Sequence, residues 1–141
     1  MVNIRVAAQT DLPFLREHDS HVAAEELASV VQRGRILIAE DNGNPIGWLR
    51  WGGLFWDEIP FMNMLTVLSS NRGQGIGRAL VTGWEKRMSR AGHSQVLTST
   101  LADESARTSI AQWDTPTREF CYSQASPPKS SYVETSIRRP I

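Results

Sequence analysis

The sequence predicts an α+β domain built on a mixed, mostly antiparallel sheet flanked by helices. Short runs with a two-residue apolar period indicate strands near the start and in the middle of the chain. A later segment instead repeats large apolar residues every four positions, as a helix with one buried face does, at Ile76, Leu80, Trp84 and Met88. With 141 residues, of which 40% are hydrophobic and 21% charged, the chain suits one compact domain.

The N-terminal quarter predicts one strand followed by two helices. Asn3–Ala7 alternates polar and apolar side chains and is a predicted strand. Pro13 is typical of the first turn of a helix, and this helix extends to about His18. A second helix, capped by Ser20, ends at Gly34.

The middle of the chain predicts strands joined by tight connections. Ile36–Ala39 is a short β-rich run, and Asp41–Pro45 is dense in turn residues, which together indicate a hairpin. Its return strand is Ile46–Phe55. The next strand, Ile59–Leu68, is apolar on both faces, and we therefore expect it in the centre of the sheet.

Charge and cysteine content exclude several classes of protein. Fifteen Lys and Arg balance fifteen Asp and Glu, so no broad positive field favours a nucleic acid or an anionic membrane as partner. The single cysteine, Cys121, excludes an internal disulfide framework and a multi-cysteine zinc site. The chain also has neither a long apolar span nor a secretory start, and we expect a cytoplasmic protein.

Glycines at positions 73, 75 and 77 separate the predicted central strand from a long helix that ends at Gly92 and is followed by a strand at Val96–Thr100. Glycines let a backbone approach a ligand closely, and a helix N-terminus adds positive potential. A phosphate or pyrophosphate is therefore the natural ligand, although the same glycines also suit a simple tight turn. The spacing fits neither a Walker loop nor the dinucleotide fingerprint.

The remaining pattern, Arg/Gln-x-x-Gly-x-Gly/Ala, is matched by Arg72, Gly75 and Gly77 and follows Leu65-x-Val67 on a strand. Here the chain resembles the GNAT superfamily of acetyl-CoA-dependent N-acetyltransferases, over Met1 to about Ala106. The resemblance implies that backbone amides of one loop cradle the pyrophosphate of acetyl-CoA and that strand backbone pairs with its pantetheine arm. The loop residues are Arg72, Gly73, Gln74, Gly75, Ile76, Gly77 and Arg78, and the strand residues are Leu65, Thr66 and Val67.

The resemblance also implies direct acetyl transfer, without a metal, to a small-molecule or peptide amine, and it leaves a homodimer open. Because an alkyl amine has a pKa of about 10, a base must take its proton. Family members often use a carboxylate on or near the fourth strand, where this chain offers Asn63, an amide that can hold a water or the acceptor. Asp57 and Glu58 are the nearest carboxylates. The reserves, on the acceptor-side helices, are His18, His21 and Glu25. Solvated surface residues are the ordinary alternative for each.

Aromatic side chains cluster around the third and fourth strands: Trp48, Trp51, Phe55, Trp56 and Phe61. Their number and spacing are typical of a packed core, and we expect most of them to be buried. One or two are candidates for the wall of the acceptor slot, where an aromatic surface would suit an apolar or cationic substrate.

From Arg107 onward the sequence departs from the family pattern. Residues 107–141 are rich in Ser, Thr and Pro and have neither a helical nor a strand period. We therefore expect a GNAT-like domain at 1–106 and an atypical tail in which the family's last helix and strand are missing or altered. That helix usually supplies the tyrosine that protonates the departing thiolate, and Tyr122 and Tyr132 do not occupy its position. The alternative function is thus a catalytically impaired CoA-binding domain or a protein-interaction module.

We interpret this change as a shifted reading frame, with a disordered natural extension as the alternative. In the frame that begins at each third base, the codons of Trp113-Asp114 must encode glycine, and those of Asp114-Thr115 must encode tyrosine or histidine. The codons of Phe120-Cys121 and Cys121-Tyr122 must each encode leucine. The family has Gly-Tyr followed by a leucine-rich strand at this place.

The nucleotide sequence of the gene tests the frameshift hypothesis. We expect the alternative frame to encode a Phe-Tyr run near position 109 or 110, followed by Gly-Tyr. The restored protein should be more soluble and gain transfer activity, because the last helix and strand cover apolar surface worth about 25 cal/mol per Å². A frame without that run contradicts the hypothesis, whereas a restored protein no better than this one argues for the inactive binding module.

Overall fold

The computed structural model describes residues 1–101, 119–122 and 134–141. Its elements, in chain order, are β1 (Val2–Val6), a 3-10 turn (Gln9–Asp11), α1 (Leu12–His18), α2 (Ala24–Gln32), β2 (Ile36–Asp41), β3 (Asn44–Leu54), β4 (Ile59–Val67), a second 3-10 turn (Ser69–Asn71), α3 (Ile76–Arg90), β5 (Gln95–Leu101), β6 (Glu119–Tyr122) and β7 (Glu134–Pro140). The chain divides into two compact units. The first comprises Met1–Gly52 and Met64–Trp84, and the second comprises Gly53–Asn63 and Glu85–Ile141.

In the first unit the strands pair in the order β1-β2-β3-β4. β1 and β2 are antiparallel, with Ile4 opposite Ala39. β2 and β3 form the predicted hairpin, whose turn has positive φ at Asn42 and Gly43. A register shift between Ala39 and Glu40 interrupts the pairing.

The core of the first unit lies between this sheet and the two N-terminal helices. Every residue of Ile36–Ala39 is buried, so both faces of β2 are covered. Ile36 and Ile38 form one apolar cluster with Leu15 from α1, Leu27 from α2 and Trp48 from β3. A clean alternation is therefore missing from β2, as is usual for a strand covered on both faces.

The start of α2 corrects one expectation. Its N-cap residue is Ala23, not Ser20, and the first α-helical hydrogen bond runs from Leu27 N–H to the Ala23 carbonyl at 2.9 Å. The reason lies at Asp19, which ends α1 with non-helical backbone angles and is held by an ion pair to Arg50. The chain therefore becomes helical again only at Ala24.

Helix α3 buries the predicted four-residue stripe, since Ile76, Leu80, Trp84 and Met88 are all buried. Gly83 lets the helix approach β1, because a Cβ atom there would lie 3.2 Å from the Cγ2 atom of Ile4. Within the described part of the chain, no helix has the length and apolarity needed to cross a membrane.

In the second unit the strands pair in the order β4-β5-β7-β6. β4 and β5 are parallel but share only two residue pairs, Phe61 with Leu97 and Met62 with Thr98. β5 and β7 are antiparallel over seven pairs, from Gln95 opposite Pro140 to Leu101 opposite Glu134. The α+β class with a mixed, mostly antiparallel sheet is confirmed.

The expectation that residues from Arg107 onward lack a final strand is wrong. β7 runs along the whole length of β5, and β6 pairs with β7 over four residues. The backbone of β5 offers its hydrogen-bonding groups to any extended segment, so this pairing does not require the alternating side chains that the sequence lacks. The expected loss of the last helix, like the tyrosine position near residues 109 and 110, lies outside the described residues.

The aromatic cluster is also only partly core. Trp48 is buried, and Trp51 and Phe61 are half-buried. Phe55 and Trp56 are instead exposed, because the turn between β3 and β4 gives them left-handed backbone angles, with φ of +52° and +58°. Such angles cost a residue with a Cβ atom about 1 kcal/mol or more.

Arg5 on β1 connects β2 to the start of α1. It donates from Nη1 and Nη2 to Asp11 at 2.7 and 2.9 Å and from Nε to Glu40 at 2.7 Å. Asp11 also accepts a hydrogen bond of 2.7 Å from Ala8 N–H. The bonds from Arg5 lower the pKa of Asp11 below its usual range, although burial acts in the opposite direction.

We expect Asp11→Asn to lower the free energy of unfolding by about 2 kcal/mol at neutral pH, because it leaves a guanidinium with a weaker partner. A carboxylate with a lowered pKa stabilises the fold above its unfolded-state pKa of about 3.9. That contribution is lost as the pH falls through the lower folded-state value, so the two proteins should converge in acid. Urea unfolding at a series of pH values measures the difference.

The matched control is Glu26→Gln, which removes an exposed ion pair between Glu26 and Arg33 on α2. Its cost should stay below about 0.5 kcal/mol at every pH. A difference between wild type and Asp11→Asn that does not change with pH would contradict the role given to Arg5.

Candidate functional site

The loop between β4 and α3 has a backbone that only glycine adopts without strain. Gly73 and Gly75 have φ of +77° and +78°. A Cβ atom at either position would have no atom of the residues that the structure describes within 4 Å. Protein packing therefore does not require these glycines: the backbone angles do, and the space above them is open to a ligand.

The loop also packs against the end of β4. Ile76, the first residue of α3, is buried, and a Cβ atom at Gly77 would lie 3.8 Å from the side chains of both Leu65 and Val67. Arg72 donates from Nε to the Val67 carbonyl at 3.0 Å. The structure thus brings together the two sets of predicted cofactor residues, at 65–67 and 72–78.

The electrostatics of this loop favour an anion. The first N–H groups of a helix lack partners within the helix, and the first turn of α3 contains no acidic residue. Arg72 and Arg78 are exposed, and Arg72 uses only one of its five N–H donors in its bond to Val67. The arrangement can hold a phosphate or pyrophosphate group by backbone amides and guanidinium groups.

β3 and β4 approach closely at the strand residues of this site. A Cβ atom at Gly47 would lie 2.8 Å from the Thr66 carbonyl oxygen, so only glycine fits there. The Leu68 N–H donates to the Ile46 carbonyl at 2.8 Å, directly after this contact. Residues 65–67 are half-buried and therefore keep a partly open surface.

The predicted catalytic residues belong to the second unit. Asp57 and Glu58 lie in the turn before β4, and Asn63 lies within β4, and all three are exposed. Glu58 N–H donates to the Phe55 carbonyl at 3.3 Å. The reserve candidates lie in the first unit, where His18, His21 and Glu25 are also exposed.

His18 has a defined position at the end of α1. Its Nδ1 atom lies 2.9 Å from the Phe14 carbonyl oxygen, to which it donates. Its ring centre lies 4.5 Å from that of Phe14, and both rings pack near Trp48, at 6.1 and 5.7 Å. These contacts orient His18, and its Nδ1 atom is used in the hydrogen bond to Phe14.

An ion pair between Asp19 and Arg50 was not predicted from the sequence. The Asp19 side chain is fully buried and accepts from Arg50 Nε at 2.9 Å and Nη2 at 3.4 Å. It holds the segment between α1 and α2 against β3. Because 31 positions separate the two residues, no local spacing could have indicated the pair.

Metal-binding side chains do not gather in the described residues. No group of three or more His, Cys, Asp or Glu side chains there could hold an ion.

Comparisons with known proteins agree on the fold. A family model described as an acetyltransferase (GNAT) domain matches residues 32–112, more than half of the chain. No functionally curated protein matches.

Solved structures of similar fold include acetyltransferases from three organisms. The ribosomal-protein-S18-alanine N-acetyltransferase of Escherichia coli has a TM-score of 0.72 at 19% identity, covering 100% of this chain and 94% of that chain. The ribosomal-protein-alanine N-acetyltransferase of Brucella melitensis has a TM-score of 0.76 at 18% identity, covering 99% of both chains. The PaiA N-acetyltransferase of Thermoplasma acidophilum, crystallised with coenzyme A, has a TM-score of 0.75 at 13% identity, covering 100% of this chain and 99% of that chain.

Proposed function

Since the chain belongs to the GNAT acetyltransferase family, we propose that it transfers an acetyl group from acetyl-CoA to a primary amine by direct attack. The observation that carries this proposal is the loop after β4: two glycines have positive φ, no described residue packs above either of them, and the N-terminus of α3 lies beside them. This combination suits the pyrophosphate of a coenzyme A thioester.

Acetyl-CoA, as co-substrate, supplies the activated acetyl group. Residues Arg72–Arg78 would hold its pyrophosphate, and Leu65–Val67 would pair with its pantetheine arm through strand backbone. The Arg72 bond to the Val67 carbonyl, at 3.0 Å, supports this assignment because it fixes the guanidinium beside both segments. The proposed transfer needs neither a metal nor a covalent enzyme intermediate.

The amine must lose its proton before it attacks, because a protonated amine has no free electron pair. Asp57 and Glu58 are our candidates for the base, directly or through a water molecule. Asn63 would hold that water or the acceptor by its amide. If neither carboxylate acts, His18, His21 and Glu25 are the next candidates.

The acceptor we propose is the amine of a small molecule or a peptide. Two of the similar structures are named as enzymes that acetylate an alanine of a ribosomal protein, so a polypeptide α-amine falls within this class. At identities of 18% and 19% these structures show a shared fold only, and the acceptor is identified by experiment.

A second candidate is a CoA-binding domain with impaired catalysis, or an interaction module derived from it. Asn63 favours it, since an exposed amide stands where family members often place a carboxylate. Release of free thiol from acetyl-CoA in the presence of a panel of amines separates the two candidates. Binding of coenzyme A without thiol release would identify the impaired domain.

Gly75→Val should abolish binding of coenzyme A, because a β-branched residue resists φ of +78° and would fill the open space above the loop. We expect at least a hundredfold loss of affinity, about 2.7 kcal/mol, in titration calorimetry.

Gly43→Val is the matched control. Gly43 has φ of +81° and equally open space, but it lies in the turn between β2 and β3. Both variants should lose similar thermal stability, while only Gly75→Val loses coenzyme A. Unchanged affinity in Gly75→Val would show that the assigned loop is wrong.

The Asp57→Asn, Glu58→Gln double variant should change the pH dependence of transfer. A general base contributes roughly a hundredfold or more, so kcat/KM should fall by about that factor and the acidic limb of the profile should shift. The control double variant Glu17→Gln, Asp41→Asn removes two carboxylates from the first unit and should leave the profile unchanged. A wild-type profile in the Asp57, Glu58 variant would assign the base to water or to the helix histidines.

A further inference from the structure

The turn between β3 and β4 has an unusual backbone that its sequence does not favour. Phe55, Trp56 and Asp57 have consecutive φ values of +52°, +58° and +68°. Glycine and asparagine tolerate these angles, whereas bulky aromatic residues rarely adopt them. Strained backbone of this kind concentrates at sites where a protein binds something.

Several contacts hold the turn in this conformation. Glu58 N–H donates to the Phe55 carbonyl at 3.3 Å, and the Glu58 carbonyl oxygen accepts from His93 Nδ1 at 3.2 Å. The Asp57 side chain lies directly over Gly53, where a Cβ atom would overlap it. The turn is therefore a built feature of the second unit.

This conformation presents apolar side chains to solvent. Leu54 is 36% exposed, Phe55 63% and Trp56 97%. Asp57 and Glu58, on the same turn, are exposed carboxylates. We call these five residues, 54–58, the aromatic-acidic tip. Exposed aromatic clusters bordered by charged residues are typical of protein interaction sites.

The charges of the tip select its partner. The face of a tryptophan ring attracts guanidinium and ammonium groups, and adjacent carboxylates strengthen that attraction. The same carboxylates repel nucleic-acid phosphates and anionic lipid headgroups. We propose that the aromatic-acidic tip binds a segment of a partner protein that carries arginine or lysine beside apolar residues. Asp57 and Glu58 are also our candidates for the base, so the two proposals share these carboxylates, but binding at the tip does not require acetyl transfer.

The probe is a fluorescein-labelled nine-residue peptide of alternating arginine and leucine. The 141-residue chain is titrated into it without acetyl-CoA, and fluorescence anisotropy measures binding. A peptide with glutamate in place of each arginine is the reference. We expect the basic peptide to bind at least about tenfold more tightly than the acidic one. Its affinity should fall as salt is raised.

Trp56→Gly is the decisive variant, because glycine adopts φ of +58° without strain and leaves the turn intact. We expect about tenfold weaker binding of the basic peptide at a thermal midpoint equal to or above that of wild type. Trp56→Asn, which also tolerates this φ, should behave the same way.

Val2→Thr and Glu17→Gln, at exposed positions on β1 and α1, control for the loss of an apolar side chain and of a charge. Both should bind the peptide as wild type does.

Four outcomes would overturn the proposal. They are no binding of the basic peptide, equal binding of the acidic peptide, undiminished binding in both Trp56 variants, and self-association in sedimentation that Trp56→Gly removes. The last outcome would identify a second copy of this chain as the occupant of the tip.

Discussion

The backbone of the loop between β4 and α3 is the constraint on which the proposed function of this protein depends. Two residues with positive φ turn the chain from the end of a strand into the start of a helix. The turn succeeds because Gly77 rests on Leu65 and Val67 while Ile76 enters the core. The N-terminus of α3 therefore lies beside the end of β4, and we propose that both segments bind the same cofactor. A side chain at either left-handed position would contact the proposed ligand rather than the core, since no atom of the described residues lies within 4 Å of a Cβ atom there.

Helix α1 is short, and ion pairs at both of its ends stabilise it. A helix of seven residues is not stable alone. It is preceded by Asp11 and followed by Asp19, and each aspartate binds an arginine on a strand, Arg5 on β1 and Arg50 on β3. Leu12 and Leu15 add apolar burial between the two charges. The acceptor-side helices of the proposed enzyme are thus fastened to the sheet of the first unit by charge as well as by packing.

Much of this fold could be predicted from local patterns, and each exception has a physical cause. The stripe on α3, the β2–β3 turn and the glycine loop depend on neighbours within a few residues, so the sequence displays them directly. The Asp19–Arg50 pair joins distant positions and leaves no periodic signal. Phe55 and Trp56 have the composition of core residues, yet three left-handed residues in one turn direct them outward. β7 has no alternating apolar pattern that would predict it, and it pairs with β5 through backbone hydrogen bonds. The roles proposed for Asp57, Glu58 and Asn63 come from a family resemblance rather than from a local pattern.

Because Asp11 and Asp19 hold the two ends of α1, we expect amide protons of α1 and of β2 to become accessible to solvent by different openings. Amide protons in β2 sit in a strand whose residues 36–39 are all buried, so their exchange with solvent requires disruption of the apolar core. Amide protons in α1 become accessible when the helix detaches at its ends, and protonation of Asp11 weakens one of those ends. We therefore expect hydrogen exchange at the start of α1 to depend on pH through Asp11, whereas exchange in β2 requires that the apolar core opens.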